Sequence, residues 1–170
     1  MELKHSKNGK RMVLSETSYQ KVARILDELT RRSRARLSVF ADMNGYPVTY
    51  SGETDGIDVS SLSALSAGDF SATAEMAKII SGEKSFNFIY HEGSQENVYL
   101  CNVGNDFLLI VVFSRDIALG MIRVLAHRAT RQLMQLVQEL REQSQKASQF
   151  LDMEFRDLLS KELDKSFKVK

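Results

Sequence analysis

The residues able to do chemistry are few in this chain and poorly placed for it. His5, His91 and His127 are its three histidines, and they lie far apart with no metal-type spacing. No glycine-rich loop ending in Gly-Lys-Ser or Gly-Lys-Thr is present to cradle a phosphate, so the chain is not itself a P-loop nucleotide hydrolase. Cys101, the single cysteine, sits inside an apolar strand pattern. It fits a reducing compartment, cannot close an internal disulfide, and has no histidine beside it in sequence to make it a nucleophile. Glu92 beside His91 reads as a turn residue, and Asp69 as a partner for a helix end or backbone group rather than as an acid catalyst. The expectation is a chain with no catalytic residue, metal site or cofactor of its own.

Function must then lie in surfaces, and composition bounds which. The 170 residues are 43% hydrophobic with one Pro, enough for a single core and without an obvious linker to a second. The longest apolar run, Phe107 to Phe113, is far too short to span a bilayer, and Met1 to Arg11 lacks the apolar core of a signal peptide, which points to the cytoplasm. Net charge is +1, but residues 1–40 carry +6, 41–114 carry −8 and 115–170 carry +3. Arg31, Arg32, Arg34 and Arg36 form the densest basic run. With no aromatic platform or recognition motif beside them they read as a solvated helix end, so nucleic acid is not an expected partner.

The elements follow from periodicity. Residues 1–11 read as a disordered tail. Ser15 to Ser18 supplies capping side chains for a first helix whose stripe is Tyr19, Val22, Ile25, Leu26 and Leu29. Leu37 to Ala41 and Tyr46 to Ser51 form a hairpin around Asp42-Met43-Asn44-Gly45, with Pro47 marking a sheet edge. The stretch Asp58 to Ser81 is a helix with two apolar sides. Leu62, Leu65, Ala72, Met76 and Ile80 suit a sheet, whereas Ser63, Ala67, Phe70, Ala74 and Ala77 form a seam of small residues fit for close approach of a partner helix. Phe86 to His91, Asn97 to Val103 and Asp106 to Phe113 follow as three strands, the last apolar throughout and hence central, with helices on both faces of the sheet.

Two surfaces are left over. The strand Phe86, Asn87, Phe88, Ile89, Tyr90 and His91 is an edge with neither Pro nor Lys, which invites pairing with a second copy. Beyond the helix that starts near Ile117, periodicity weakens through Arg141 to Ser148 and resumes at Leu151, Phe155, Leu158 and Leu159. That C-terminal extension is fit for a protein groove, its mixed charge arguing against a membrane. The resulting division is 1–11, a domain over 12–140 and an extension over 141–170.

Ala67-Gly68-Asp69-Phe70, His91-Glu92-Gly93, Asn97-Val98-Tyr99-Leu100, Val103-Gly104-Asn105-Asp106, Leu109 to Phe113 and Leu119-Gly120-Met121-Ile122-Arg123 resemble the roadblock, or dynein light-chain-like, family. Over residues 12–140, and including Asp42-Met43-Asn44-Gly45 and Ile57 to Leu62, the similarity is to its bacterial MglB-like branch. The resemblance implies an α+β sandwich of order α-β-β-α-β-β-β-α with a five-stranded antiparallel sheet. It also implies a homodimer that binds a small Ras-like GTPase of the MglA type in its GTP state and activates hydrolysis with the GTPase's own catalytic residues. Such a regulator of polarity or motility is open to recruitment at cell poles. A roadblock-type adaptor that scaffolds a complex without altering hydrolysis is the alternative, and a small-ligand sensor domain, disfavoured by the absence of polar core positions, is the third.

Overall fold

The computed structural model of the chain describes residues 15–82 and 86–167, with the backbone alone described beyond Gln145. The tail 1–11 lies outside the described residues. Ser15 caps the first helix by accepting from the Ser18 amide at 3.3 Å. The elements are α1 (Glu16–Ser33), β1 (Leu37–Asp42), β2 (Pro47–Gly52), α2 (Val59–Ser81), β3 (Phe88–His91), β4 (Glu96–Val103), β5 (Phe107–Ser114) and α3 (Leu119–Phe167). All five strands pair antiparallel in the order β2-β1-β5-β4-β3, an α+β arrangement.

The central place of β5 follows from its composition, since every side chain from Phe107 to Phe113 is buried and only a strand covered on both faces can bury such a run. Pro47 falls on the edge strand β2, opposite Ala41 at a register shift, where its missing N–H costs no ladder bond. α1 and α3 cover one face of the sheet: the Tyr19 hydroxyl of α1 lies 3.2 Å from Thr49 of β2, and the Arg123 guanidinium of α3 lies 4.8 Å from the Phe88 ring centre of β3. α2 covers the other face. Ser15–Leu136 forms one compact unit, and the part of α3 from Val137 belongs to another.

Leu62 packs on the sheet's core cluster as expected, but beyond it the two sides of α2 are the reverse of the expectation. Ser63, Ala67, Phe70 and Ala77 are buried and Ala74 is half-buried, whereas Leu65 is 74% and Ile80 73% exposed, with Met76 and Ala72 also outside. The reason is volume. The facing side of the sheet is already built of Leu37, Val39, Leu100, Leu108, Ile110 and Val112, so close packing leaves room for small side chains and one ring, Phe70. The seam is a close-approach face, as its composition requires, but what approaches is the chain's own sheet. Gly45 adds a second close approach. A Cβ there would stand 2.5 Å from the Ala64 Cα, and its φ of +89° is one that side chains disfavour.

Two further boundaries differ. β3 starts at Phe88, leaving Phe86 and Asn87 outside the ladder, since β4 pairs with it only from Cys101 back to Val98. α3 is one continuous helix. Arg141 to Ser148 does not interrupt it, being mostly strong helix formers with neither Gly nor Pro.

The revised packing gives a contrast. Ala67→Glu buries a carboxylate among aliphatic side chains and should cost several kcal/mol of unfolding free energy, whereas Ser71→Glu, at an exposed position of the same helix outside the apolar stripe, should change it by less than about 1 kcal/mol. Urea unfolding of the two variants checks this, and equal midpoints would show that the sides are misassigned.

Candidate partner-docking face

α2 is held at its start by Asp58, whose carboxylate accepts from the Ser60 amide at 3.0 Å and the Ser61 hydroxyl at 2.6 Å. The Ser61 bond, followed by the backbone amides, holds that carboxyl below its ordinary range. Gly82 ends the helix in the left-handed conformation, its amide bonding to the Lys78 carbonyl. Between these caps the outward side carries Leu65, Met76, Ile79 and Ile80, four large apolar side chains in open solvent. Ile79 is 86% exposed.

Asp69 lies on the same flank as Leu65 and Met76, and its Oδ2 sits 2.6 Å from Nε2 of His91 on β3. The pair ties the exposed stripe of α2 to the free edge of the sheet. Asp69 is thus a side-chain partner across 22 residues of sequence, where a helix-end or backbone role was expected. β3 itself is half-covered: Phe88 stacks on Tyr99 at 5.1 Å, Tyr90 on Phe113 at 6.3 Å, and Arg123 closes over Phe88. One edge of β3 pairs with β4 and the other pairs with nothing among the described residues. The site is therefore a row of unpaired backbone groups beside a strip of exposed aliphatic side chains. Hydrogen bonds and hydrophobic burial are its chemistry.

Other sequence-singled residues have structural work. Arg36 leaves the basic run: its Nη1 donates to both carboxylate oxygens of Glu96, at 2.7 and 2.8 Å, and its Nη2 to the Asp55 carbonyl, joining the entries of β1 and β4 to the loop before α2. The hydrogen bond to Glu96 is the main influence raising the guanidinium further above its ordinary range. Arg34 adopts the left-handed conformation that closes α1. Cys101 is buried, and burial pushes its thiol up to about 11. Leu151, Phe155, Leu158 and Leu159 fall on α3 where only the backbone is described. Among the described residues, no cluster of three or more His, Cys, Asp or Glu could hold a metal, and no helix is long and apolar enough to cross a membrane. A shallow groove between α1 and α3, lined by Ile25, Glu28, Leu125 and Arg128, has room for about one water molecule.

The described residues form a three-layer α/β/α module with a strand edge left unpaired among them. Residues 21–113 match the Roadblock/LC7 domain, and the chain belongs to that family. Among solved structures it is similar to MglB of Myxococcus xanthus, at 32% identity over 75% of this chain and 96% of that one, with a TM-score of 0.71. The gliding protein MglB of Thermus thermophilus is similar at 27% identity over the same shares, with a TM-score of 0.69. An MglB described as having a tetrameric arrangement is similar at 26% identity and a TM-score of 0.70, again covering 75% and 96% of the two chains. No curated protein matches by sequence.

With its thiol neutral at physiological pH and enclosed, Cys101 should react with a thiol reagent at pH 8 at least a hundredfold slower in the native protein than in denaturant. Absorbance of the released thiolate checks this, and rapid native labelling would place Cys101 at an accessible surface instead.

Proposed function

We propose that the chain acts as a homodimeric partner and GTPase-activating protein of a small Ras-like GTPase, in the manner its likeness to the MglB proteins suggests. The observation that carries the proposal is the coincidence of that likeness with a continuous unpartnered surface, the β3 edge and the exposed side of α2, joined by the Asp69–His91 pair. Two copies pair antiparallel through Phe88–His91, extending the sheet and bringing the two α2 helices alongside each other. Burial of Leu65, Met76, Ile79 and Ile80 contributes roughly 1.5 to 3 kcal/mol per side chain before association costs are subtracted. That one similar MglB is described as having a tetrameric arrangement supports self-association.

The dimer's α2 layer then holds the switch loops of a GTP-bound GTPase in their hydrolysing arrangement. The chain supplies no arginine finger and no catalytic residue. Its contribution is positioning and preorganisation of groups the GTPase already has, which suffice to accelerate phosphoryl transfer. The protein works in the cytoplasm, in polarity or motility control, with the extension 141–170 contacting the GTPase or the dimer through Leu151, Phe155, Leu158 and Leu159. A scaffold that binds without changing hydrolysis is the second reading, favoured by the shared fold alone.

Leu65→Glu combined with Ile80→Glu should convert the dimer to a folded monomer of 19.3 kDa in light scattering. An unchanged dimer mass would rule out this side of α2 as the interface. Mixing the chain with its cognate GTPase should raise single-turnover GTP hydrolysis by at least tenfold; binding with an unaltered rate would select the scaffold. Deleting 143–170 should leave a folded dimer with altered affinity for the GTP-loaded partner in calorimetric titration, and equal affinity would remove the extension from that contact.

A further inference from the structure

The sheet separates two faces of opposite charge. α2 and its cap carry Asp58, Asp69 and Glu75 against Lys78 alone. The opposite layer, α1 with α3 as far as Leu136, carries seven Lys or Arg against three acids, and the three acids all belong to α1. Two of those are spent within the helix, Asp27 on Arg31 and Glu28 on Arg32, each at 3.0 Å. From Leu119 to Leu136, α3 has no acid at all.

The cations of α3 share its exposed arc. Arg123, His127, Arg128 and Arg131 point away from the buried Ile122, Ala126 and Leu133. Apolar side chains stand between them: Val124 is 69% exposed, and Met121 and Met134 are also outside. α1 contributes exposed Lys21 and Arg24, and among the described residues no carboxylate lies within salt-bridge distance of Lys21, Arg24 or Arg131.

We infer that the α1–α3 layer is a peripheral docking surface for an anionic lipid bilayer. A helix pair lying flat, with cations spread along it and aliphatic side chains between them, matches an interface that offers negative headgroups and an acyl boundary a few ångströms below. A nucleic acid would call for aromatic stacking platforms or a groove tracking the backbone, whereas the exposed ring of this layer is Tyr19 alone among the described residues, tied by its hydroxyl to Thr49, and the groove between α1 and α3 has room for about one water molecule. Long-range attraction by about +4 of excess layer charge brings the face down, and Val124 with its methionine neighbours enters the headgroup region. The acidic α2 side is left pointing at solution. The surface is complete in one copy and, Arg123 over the Phe88 ring apart, lies away from the residues assigned to dimer or GTPase contact, so it stands or falls apart from that reading.

The test is flotation of the full chain, without GTPase, with vesicles of equal parts phosphatidylglycerol and phosphatidylcholine or of phosphatidylcholine alone. The chain should float with the anionic vesicles at about 0.1 M salt, stay in solution with the neutral ones, and detach at about 1 M, where the Debye length falls to roughly 3 Å. Each cation near the surface is worth about fivefold in partitioning, so Lys21→Glu with Arg131→Glu should lower it at least tenfold. Lys21→Gln with Arg131→Gln does the same more weakly if the reversal disturbs folding, which circular dichroism monitors. Val124→Gln should lower flotation with the anionic vesicles at about 0.1 M salt. Absence of flotation with anionic vesicles, equal flotation with neutral ones, or charge variants that float like the parent would each overturn the proposal. So would tight binding to single-stranded RNA with no flotation.

Discussion

The packing of a small-residue helix side onto an aliphatic sheet face is the contact on which the rest of this structure depends. Leu37, Val39, Leu108, Ile110 and Val112 fill that face so well that α2 buries small residues, Ser63, Ala67 and Ala77, and the single ring of Phe70 toward it, with Val59 and Leu62 partly buried at its first turn. Once those residues are inside, helical geometry puts Leu65, Met76 and Ile80 outside. An exposed apolar stripe is thus a consequence of the core. The same rotation carries Asp69 to the flank where His91 waits, so core packing also fixes how α2 lies against the sheet edge.

The opposite face of the sheet is built differently. There the strands present rings, with Phe40 stacked on Phe107 and Phe88 on Tyr99, and the covering helices bring Leu26, Leu29, Ile122 and Leu133. Two helices rather than one cover this side, and their outer surface is cationic where that of α2 is apolar and acidic. A thin domain with unlike faces can hold different partners on its two sides without competition between them. The free edge of β3 lies between the two, under Arg123 on one side and beside Asp69 on the other.

Much of this was legible in the sequence because short-range patterns carried it. The unbroken apolar run of β5 placed it at the centre, and Pro47 placed β2 at an edge. The free strand also followed from its composition, although its first two residues did not pair. The sides of α2 were misread because periodicity identifies two apolar stripes without saying which one the sheet has room for. That depends on side-chain volumes from β1, β4 and β5, which local reading of α2 does not weigh. Asp69 and His91 each stand out in the sequence, but their partnership spans two elements and leaves no local signal. The continuity of α3 through Arg141 to Ser148 was missed for the opposite reason. Apolar periodicity fades there while helix propensity does not.

The central claim is that the outer edge of β3 and the exposed side of α2 form one self-pairing surface. Hydrogen exchange of the β3 amides as a function of protein concentration tests it most directly, because those facing away from β4 have no bonding partner in a single copy. Self-pairing predicts that these amides, with the tip of α2 near Ile79 and Ile80, are protected at micromolar concentration and lose protection together on dilution. Exchange of the outward β3 amides at the rate of an open edge, unchanged across the concentration range while β4 and β5 stay protected, would contradict it.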